Sequence, residues 1–227
     1  MINRLSHTSS LWAVFVFFTI TTFLFTPILL QAEPRDPTIA RLFSFIERLQ
    51  TIEAEFTQQV EEADGSMPKL SRGRFSAKRP GLFRWDYREP FEQMILSDGE
   101  SVYYYEVDLA QVTKTRADLL EETPAAFFVS DRPLDQTFTL SVTEDATWKL
   151  PSVRMVPLTQ GTIQEITLTL HPQKDEILNL VVLDSLGNHS RFTFLKIRYN
   201  QPLPSDRFTF SLPEGVDLID ESDNNTP

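Results

Sequence analysis

Large apolar side chains alternate with polar ones along the stretch from Arg72 to Thr113. One phase carries Gly73, Phe75, Ala77, Phe83, Trp85 and Tyr87, and the other carries Arg74, Arg84, Asp86 and Arg88. A period of two residues is typical of antiparallel strands with one buried face. The dipeptide Asp98-Gly99 lies between two such runs and predicts a tight hairpin, because both residue types tolerate the positive φ of such a turn. The stretch therefore predicts a sheet with one aromatic face.

An amphipathic helix is predicted before this sheet. Asp36 is a suitable N-cap and Pro37 a suitable first helical residue. Apolar residues then recur at helical spacing at Ile39, Leu42, Phe43, Ile46 and Leu49. At Thr51 the period changes to two, so a strand follows the helix and ends near Val60.

Further strands follow along the chain. They are predicted at 74–77, 82–87, 93–96, 101–106, 147–156, 163–170, 177–183 and 190–199, with short ones at 110–115 and 208–210. Residues 184–188 predict a hairpin loop in which Gly187 supplies a positive φ. No repeat or composition shift marks a domain boundary, so one domain is predicted over 33–220, followed by a disordered tail at 221–227.

A second, very apolar helix is predicted between the two groups of strands. Thr123-Pro124 opens it, and its residues are Ala125, Ala126, Phe127, Phe128 and Val129. Arg132-Pro133 ends it. Residues 134–140 fit either a third short helix or a strand, since Phe138 and Leu140 also alternate with polar residues.

The first 32 residues have the layout of a secretory signal peptide. Arg4 precedes an uncharged run from Leu11 to Leu30, and Ala32 is a suitable cleavage position. The alternative is an uncleaved anchor, because twenty uncharged residues can span a bilayer. We expect the working form to be an exported protein.

The composition argues against several classes of function. The net charge is −11 and the pI about 4.8, which argues against nucleic acid and anionic membrane surfaces as partners. The chain has no cysteine, so it has no thiol nucleophile and cannot be acylated as a bacterial lipoprotein. His171 and His189 show no metal-ligand spacing, and no nucleophile elbow or phosphate loop is present. We expect neither an enzyme nor a cofactor or metal.

What remains is the excess of aromatic residues. An ordinary permanent core would account for any single one of them. However, the predicted helices are few and short for about ten strands, so part of one sheet face lacks permanent cover. Apolar surface of that kind is typical of a site that binds an apolar ligand.

Several segments resemble the outer-membrane lipoprotein carrier family, LolA. They are Phe56-Thr57-Gln58-Gln59-Val60, Arg79-Pro80-Gly81-Leu82-Phe83-Arg84-Trp85, Ser97-Asp98-Gly99 with the aromatic run 102–105 and Gln111, Thr123-Pro124, and Phe208-Thr209-Phe210 with 213–215. They occur in the family's order and extend over most of the chain. The resemblance implies a mainly β fold, an incomplete antiparallel β-barrel of about eleven strands closed by a lid of short helices.

The resemblance also implies a function. A protein of this family is a periplasmic chaperone and a monomer that accepts acylated lipoproteins from an inner-membrane ABC-type release complex (LolCDE-like). It shields their acyl chains in a hydrophobic cavity and delivers them to an outer-membrane receptor (LolB-like). In the family, an arginine of the KRP segment hydrogen-bonds backbone carbonyls of the lid, and its counterpart here is Arg79. Without the resemblance, Arg79 would be interpreted as a solvated arginine before a turn proline.

Candidate cavity residues follow from the aromatic strands and the two helices. They are Phe43, Ile46, Phe75, Phe83, Trp85, Tyr104, Phe127 and Phe128. Periodicity alone does not say which strand face meets a ligand. The tyrosine hydroxyls of 87 and 103–105 would favour polar-headed lipids if they point inward.

Three alternatives remain open. The same half-barrel occurs in envelope-stress proteins that sense lipids or mislocalised lipoproteins, but those carry a second domain after it. The outer-membrane receptor is also similar, but it needs the lipidated cysteine that this chain lacks. A secreted hydrolase is the alternative from a different class.

Overall fold

A computed structural model describes residues 35–117 and 124–222. The helices are α1 (Pro37–Arg48), α2 (Ala126–Val129) and α3 (Leu134–Thr137). The strands are β1 (Thr51–Glu61), β2 (Lys69–Lys78), β3 (Leu82–Glu89), β4 (Gln93–Asp98), β5 (Ser101–Glu106), β6 (Gln111–Arg116), β7 (Phe138–Glu144), β8 (Pro151–Pro157), β9 (Ile163–Leu170), β10 (Ile177–Asp184), β11 (His189–Tyr199) and β12 (Asp217–Asp220). Short 3-10 helices lie at Val107–Leu109 and Ser205–Phe208. The predicted signal peptide lies outside the described residues.

These strands form one open sheet. Its order is β12-β6-β5-β4-β3-β2-β1-β11-β10-β9-β8-β7. Neighbours are antiparallel except β12, which runs parallel to β6. β1 pairs with both β2 and β11 and so joins the two meanders. Because β7 and β12 stand at opposite ends of the order without pairing, the mainly β, incomplete barrel implied by the family resemblance is confirmed.

The two phases of the aromatic strands face opposite sides of the sheet, as predicted. Phe75 on β2 is directly opposite Trp85 on β3, and both are buried. Arg74 and Arg88 of the other phase are exposed. We call the side with Phe75 and Trp85, which the helices cover, the inner face, and the opposite side the outer face.

The helix α1 begins and ends where the sequence predicts. The Asp36 carboxylate accepts a hydrogen bond from the Thr38 backbone N–H at 2.8 Å, and Pro37 is the first helical residue. The helix buries Leu42 and Ile46 against the inner face. It thus forms part of the main core.

Three local predictions change. The strand predicted from 147 begins at Pro151, because the carboxylate of Asp145 accepts the backbone N–H groups of Thr147 and Trp148 and forms a turn. The strand predicted at 208–210 is wrong, since Phe208 ends a 3-10 helix there. The segment 134–140 contains both predicted alternatives, because helix α3 ends at Thr137 and strand β7 begins at Phe138.

The second predicted helix is shorter than expected. Of its predicted opening pair, Pro124 lies in a turn and Thr123 lies outside the described residues. The helix begins at Ala126, after Ala125, which provides no side-chain cap.

A second, smaller core lies on the outer face. Leu96 and Val112 are 0% exposed although their strand phase points away from the main core. Phe208 covers this region and is 2% exposed, while Phe210 stacks on Tyr103 with ring centroids 4.5 Å apart. The segment between β11 and β12 therefore packs across the back of the sheet, and the chain rejoins the sheet only at its edge strand β12. Within the described ranges, none of the helices has the length and apolar character that crossing a membrane requires.

Candidate functional site

An aromatic cluster occupies the centre of the inner face. Trp85 is its middle, with ring centroids 4.5 Å from Phe75, 5.0 Å from Phe192 and 5.3 Å from Phe56. Tyr87 stacks beside Trp85 at 6.5 Å. These rings come from β1, β2, β3 and β11, which lie side by side in the sheet, so the period-two pattern of each strand places them together.

The helix α2 lies directly over this cluster. Phe128 contacts Phe75 at 4.9 Å and Phe194 at 5.8 Å between ring centroids. All four residues of α2 are buried. A helix of four residues has no independent stability, so packing on the sheet and hydrogen bonds from its neighbours must hold it there.

Arg79 donates one of these hydrogen bonds. It stands in the turn between β2 and β3, and its Nε donates to the backbone carbonyl oxygen of Phe128 at 2.9 Å. The backbone N–H of Arg79 donates to Gln50 O at 2.9 Å, which fixes the turn on the end of α1. Burial lowers the pKa of the Arg79 guanidinium, and the charge of Asp131 acts in the opposite direction. An arginine remains cationic under such conditions, so the bond to Phe128 is charge-assisted.

A second hydrogen bond to α2 comes from the backbone. The N–H of Gly81 donates to Val129 O at 3.1 Å. The Gly81 carbonyl accepts a hydrogen bond from Ser97 Oγ at 2.7 Å, and Ser97 is fully buried. Gly81 has a φ of +71°, which a side chain would disfavour. The turn is therefore held on both sides, by α2 and by the hairpin of β4 and β5.

Sequence reasoning missed the roles of Gly81 and Ser97. Neither a backbone donor nor a buried serine produces a sequence pattern that identifies a distant hydrogen-bond partner. The signal that could have found them is the glycine directly after Arg79-Pro80, since a glycine in a turn indicates a positive φ or a close approach.

The structure brings the predicted site residues together at the inner face. Phe75, Phe83, Trp85, Phe127, Phe128 and Ile46 belong to the buried main core, and Phe43 and Tyr104 are partly buried against it. Phe75 and Trp85, which lie beneath α2, are 0% and 3% exposed, so solvent does not reach this cluster in the structure. Their assignment to a cavity stays a prediction, as does the role of Arg79.

The hydroxyl-bearing residues divide between the two faces. Tyr87 and Tyr104 pack against the main core. Tyr103 lies on the outer face, where its hydroxyl donates to Asp98 Oδ2 at 3.1 Å. Burial raises the pKa of Tyr87, so its hydroxyl stays protonated at neutral pH.

The helix α1 is anchored at a different place. Arg41 donates to the carbonyl oxygens of His171, Pro172 and Lys174 in the loop after β9. Beside it lies an apolar pocket of about 230 Å³ between α1 and strands β8 and β9, lined among others by Val153. The cover over the inner face is thus held at two separate loops.

Metal chemistry has no support in this part of the chain. Within 35–117 and 124–222 there is no group of three or more His, Asp or Glu side chains that could hold a metal ion. The site consists of aromatic surface, a short helix and hydrogen bonds to backbone carbonyls.

Comparison with known proteins assigns the chain to a protein family. The family model described as "Outer membrane lipoprotein carrier protein LolA" matches residues 47–211. The chain belongs to the LolA family. An outer-membrane lipoprotein carrier protein of Pseudomonas putida is 34% identical to this LolA-family chain over 188 residues, which cover 82% of this chain and 89% of the relative. One from Pseudomonas aeruginosa is 32% identical over 185 residues, covering 81% and 88%.

Chains of two solved structures align with more than three quarters of this chain. A LolA superfamily protein from Nitrosomonas europaea gives a TM-score of 0.47 at 11% identity, covering 78% of this chain and 99% of that one. The MucA/MucB complex of Pseudomonas aeruginosa gives a TM-score of 0.38 at 15% identity, covering 76% of this chain and 59% of that one. The family assignment rests on the sequence matches.

Proposed function

We propose that this LolA-family chain binds acylated lipoproteins at its inner face and carries them through the periplasm to the outer membrane. The observation that carries the proposal is the aromatic cluster around Trp85, covered by a four-residue helix that Arg79 and Gly81 hold by its carbonyl oxygens. The name of its Pseudomonas relatives, outer-membrane lipoprotein carrier protein, supports the same conclusion.

The acyl chains explain why a carrier needs such a face. Each buried methylene gains about 0.8 kcal/mol, so one sixteen-carbon chain forfeits about 10 kcal/mol when it leaves a membrane unless an apolar site receives it. The rings of Phe56, Phe75, Trp85 and Phe192 offer such surface once α2 is displaced. In the empty protein, α2 keeps the same surface out of water.

The cost of displacing α2 has a similar size. Burial of Phe127, Phe128 and Val129 stabilises the closed form by about 1.5–3 kcal/mol per side chain. The hydrogen bonds from Arg79 and Gly81 together add about 2–4 kcal/mol. The total is of the order of the gain from one acyl chain, about 10 kcal/mol, so loading and release can both occur without a chemical step.

The proposal includes two partners and a location. An acyl chain cannot pass through water unaided, so the carrier must receive it from one membrane protein and give it to another. The donor we propose is an inner-membrane ABC-type release complex (LolCDE-like), and the acceptor is an outer-membrane receptor (LolB-like). The carrier acts as a periplasmic monomer between them.

The test uses cells and purified protein. Mass spectrometry of untagged protein from the periplasm is expected to find bound lipoprotein. Depletion of the protein is expected to leave outer-membrane lipoproteins in the inner membrane. Normal sorting in depleted cells would overturn the proposed function.

A further inference from the structure

Trp85 has one polar atom that the closed structure leaves without a partner. Its side chain is 3% exposed, and the indole Nε1–H makes no hydrogen bond with any residue of 35–117 or 124–222. Buried tryptophan N–H groups usually find an acceptor, and an unmade hydrogen bond is costly. This donor therefore requires an explanation.

Packing in the closed form does not supply one. The rings nearest to Trp85 belong to Phe56, Phe75 and Phe192. Only the faces of such rings accept hydrogen bonds, and they do so weakly. A phenylalanine at position 85 would belong to the same cluster and bury no unpaired donor. The N–H thus contributes no hydrogen bond to the stability of the empty, closed protein within the described residues.

The indole of Trp85 lies one aromatic ring away from α2. Trp85 is opposite Phe75 on β2 and opposite Ile95 on β4. Phe128 of α2 contacts the ring of that same Phe75. Displacing α2 therefore uncovers the cluster next to the indole, and the incoming chain becomes its new neighbour.

The chemistry of an acyl chain complements this arrangement. A fatty acyl ester is apolar along its whole length except at its carbonyl oxygen, which accepts hydrogen bonds and has no donor of its own. In a dry site, that oxygen loses its water and needs a donor. The inner face offers a matching donor that has no acceptor among the residues that the structure describes.

We propose that the Trp85 Nε1–H donates a hydrogen bond to an ester carbonyl oxygen of the bound acyl chains. The inner face then prefers acyl esters to alkyl ethers or plain hydrocarbon of the same length. This specificity rests on the proposed function, because it concerns the same site.

The experiment compares two dye-labelled probes by fluorescence anisotropy. One is a synthetic cysteine peptide with two palmitoyl esters, and the other is its ether analogue, in which a methylene replaces each ester carbonyl. The wild-type protein is expected to bind the ester probe about tenfold more tightly than the ether probe. Trp85→Phe is expected to bind both probes equally, because it keeps the ring and loses the donor. Trp148→Phe is the matched control, since Trp148 is 47% exposed and outside the main core, and it is expected to keep the preference.

The outcomes separate this specificity from the carrier function. If wild type binds both probes equally, or if Trp85→Phe retains the preference for the ester, the donor role is overturned while the carrier function stands. If wild type binds neither probe, the proposed function fails, and the specificity fails with it. Circular dichroism and thermal unfolding of Trp85→Phe establish that the variant is folded.

Discussion

Two of the segments that cover the sheet, one on each face, are held by different chemistry. On the inner face, α2 packs four apolar or small residues, and its carbonyl oxygens accept hydrogen bonds from Arg79 and Gly81. On the outer face, the loop between β7 and β8 is held by the carboxylate of Asp145, which is 3% exposed. That carboxylate accepts from the backbone of Thr147 and Trp148 and from two side chains.

The difference shows which cover can move. Removal of α2 leaves neutral carbonyls and one cation, all of which water can solvate. Removal of the loop would leave Arg191 and Asn179 without the carboxylate they bind at 3.2 and 2.7 Å. Breaking a buried charged pair is strongly unfavourable. The loop between β7 and β8, which we call the outer cover, is therefore a fixed part of the fold. The helix α2, which we call the inner cover, is suited to exchange with a ligand.

The largest expected effect is on the outer cover. Asp145→Ala is expected to destabilise the protein by about 3–5 kcal/mol, because it leaves the charge of Arg191 partly buried and unpaired. Urea unfolding measures the loss. The control Asp135→Ala removes an exposed pair with Arg35 and is expected to cost less than about 1 kcal/mol. Equal costs for the two variants would remove the distinction between fixed and exchangeable covers.

The next effect concerns the inner cover. Arg79→Leu is expected to load lipoprotein but to release it about 10- to 100-fold more slowly, because the closed empty form loses the charge-assisted bond to Phe128. Transfer of bound lipoprotein to acceptor membranes measures release. Arg72→Leu is the control, since Arg72 pairs with Glu89 at the surface. Unchanged transfer by Arg79→Leu would exclude Arg79 from the closing of α2.

Acid should weaken the outer cover through protonation of Asp145. Burial raises the pKa of Asp145, but hydrogen bonds from Trp148, Thr147 and Arg191 outweigh it and hold the pKa below its usual value. Its stabilisation is therefore complete above the unfolded-state pKa and is lost as pH falls through the lower folded-state value. Below about pH 5, wild type should lose stability more steeply than Asp145→Asn, by at most about 1.4 kcal/mol per pH unit. Parallel pH profiles in urea unfolding would contradict this.

The smallest effect compares two glycines of similar backbone conformation. Gly81→Ala is expected to cost about 1 kcal/mol because φ is +71°, and to increase binding of an apolar dye because the bond to Val129 is strained. Gly65→Ala has a φ of +75° in the loop between β1 and β2 and is expected to cost the same without more dye binding. If both variants bind dye equally, the Gly81 bond has no part in holding α2.

Much of the fold could be predicted from the sequence because it depends on local patterns. The alternation around Phe75 and Trp85, the cap at Asp36 and the hairpin at Gly99 each act within a few residues. The failures were at chain segments whose structure depends on distant partners. The carboxylate of Asp145, which forms the turn, is also bound by the distant Arg191 and Asn179. Phe208 packs on the outer face, on the same side as Leu96, instead of forming a strand.

The sequence by itself determined the mainly β class of the protein and the aromatic character of one sheet face, because both depend on hydrophobic period and turn residues along the chain. It also carried the family resemblance that pointed to Arg79. Only the tertiary structure decided what Arg79 and Gly81 contact, since Phe128 and Val129 lie almost fifty residues away and offer backbone atoms that every residue has. For the same reason, only the tertiary structure shows that the N–H of Trp85 has no hydrogen-bond partner in 35–117 and 124–222.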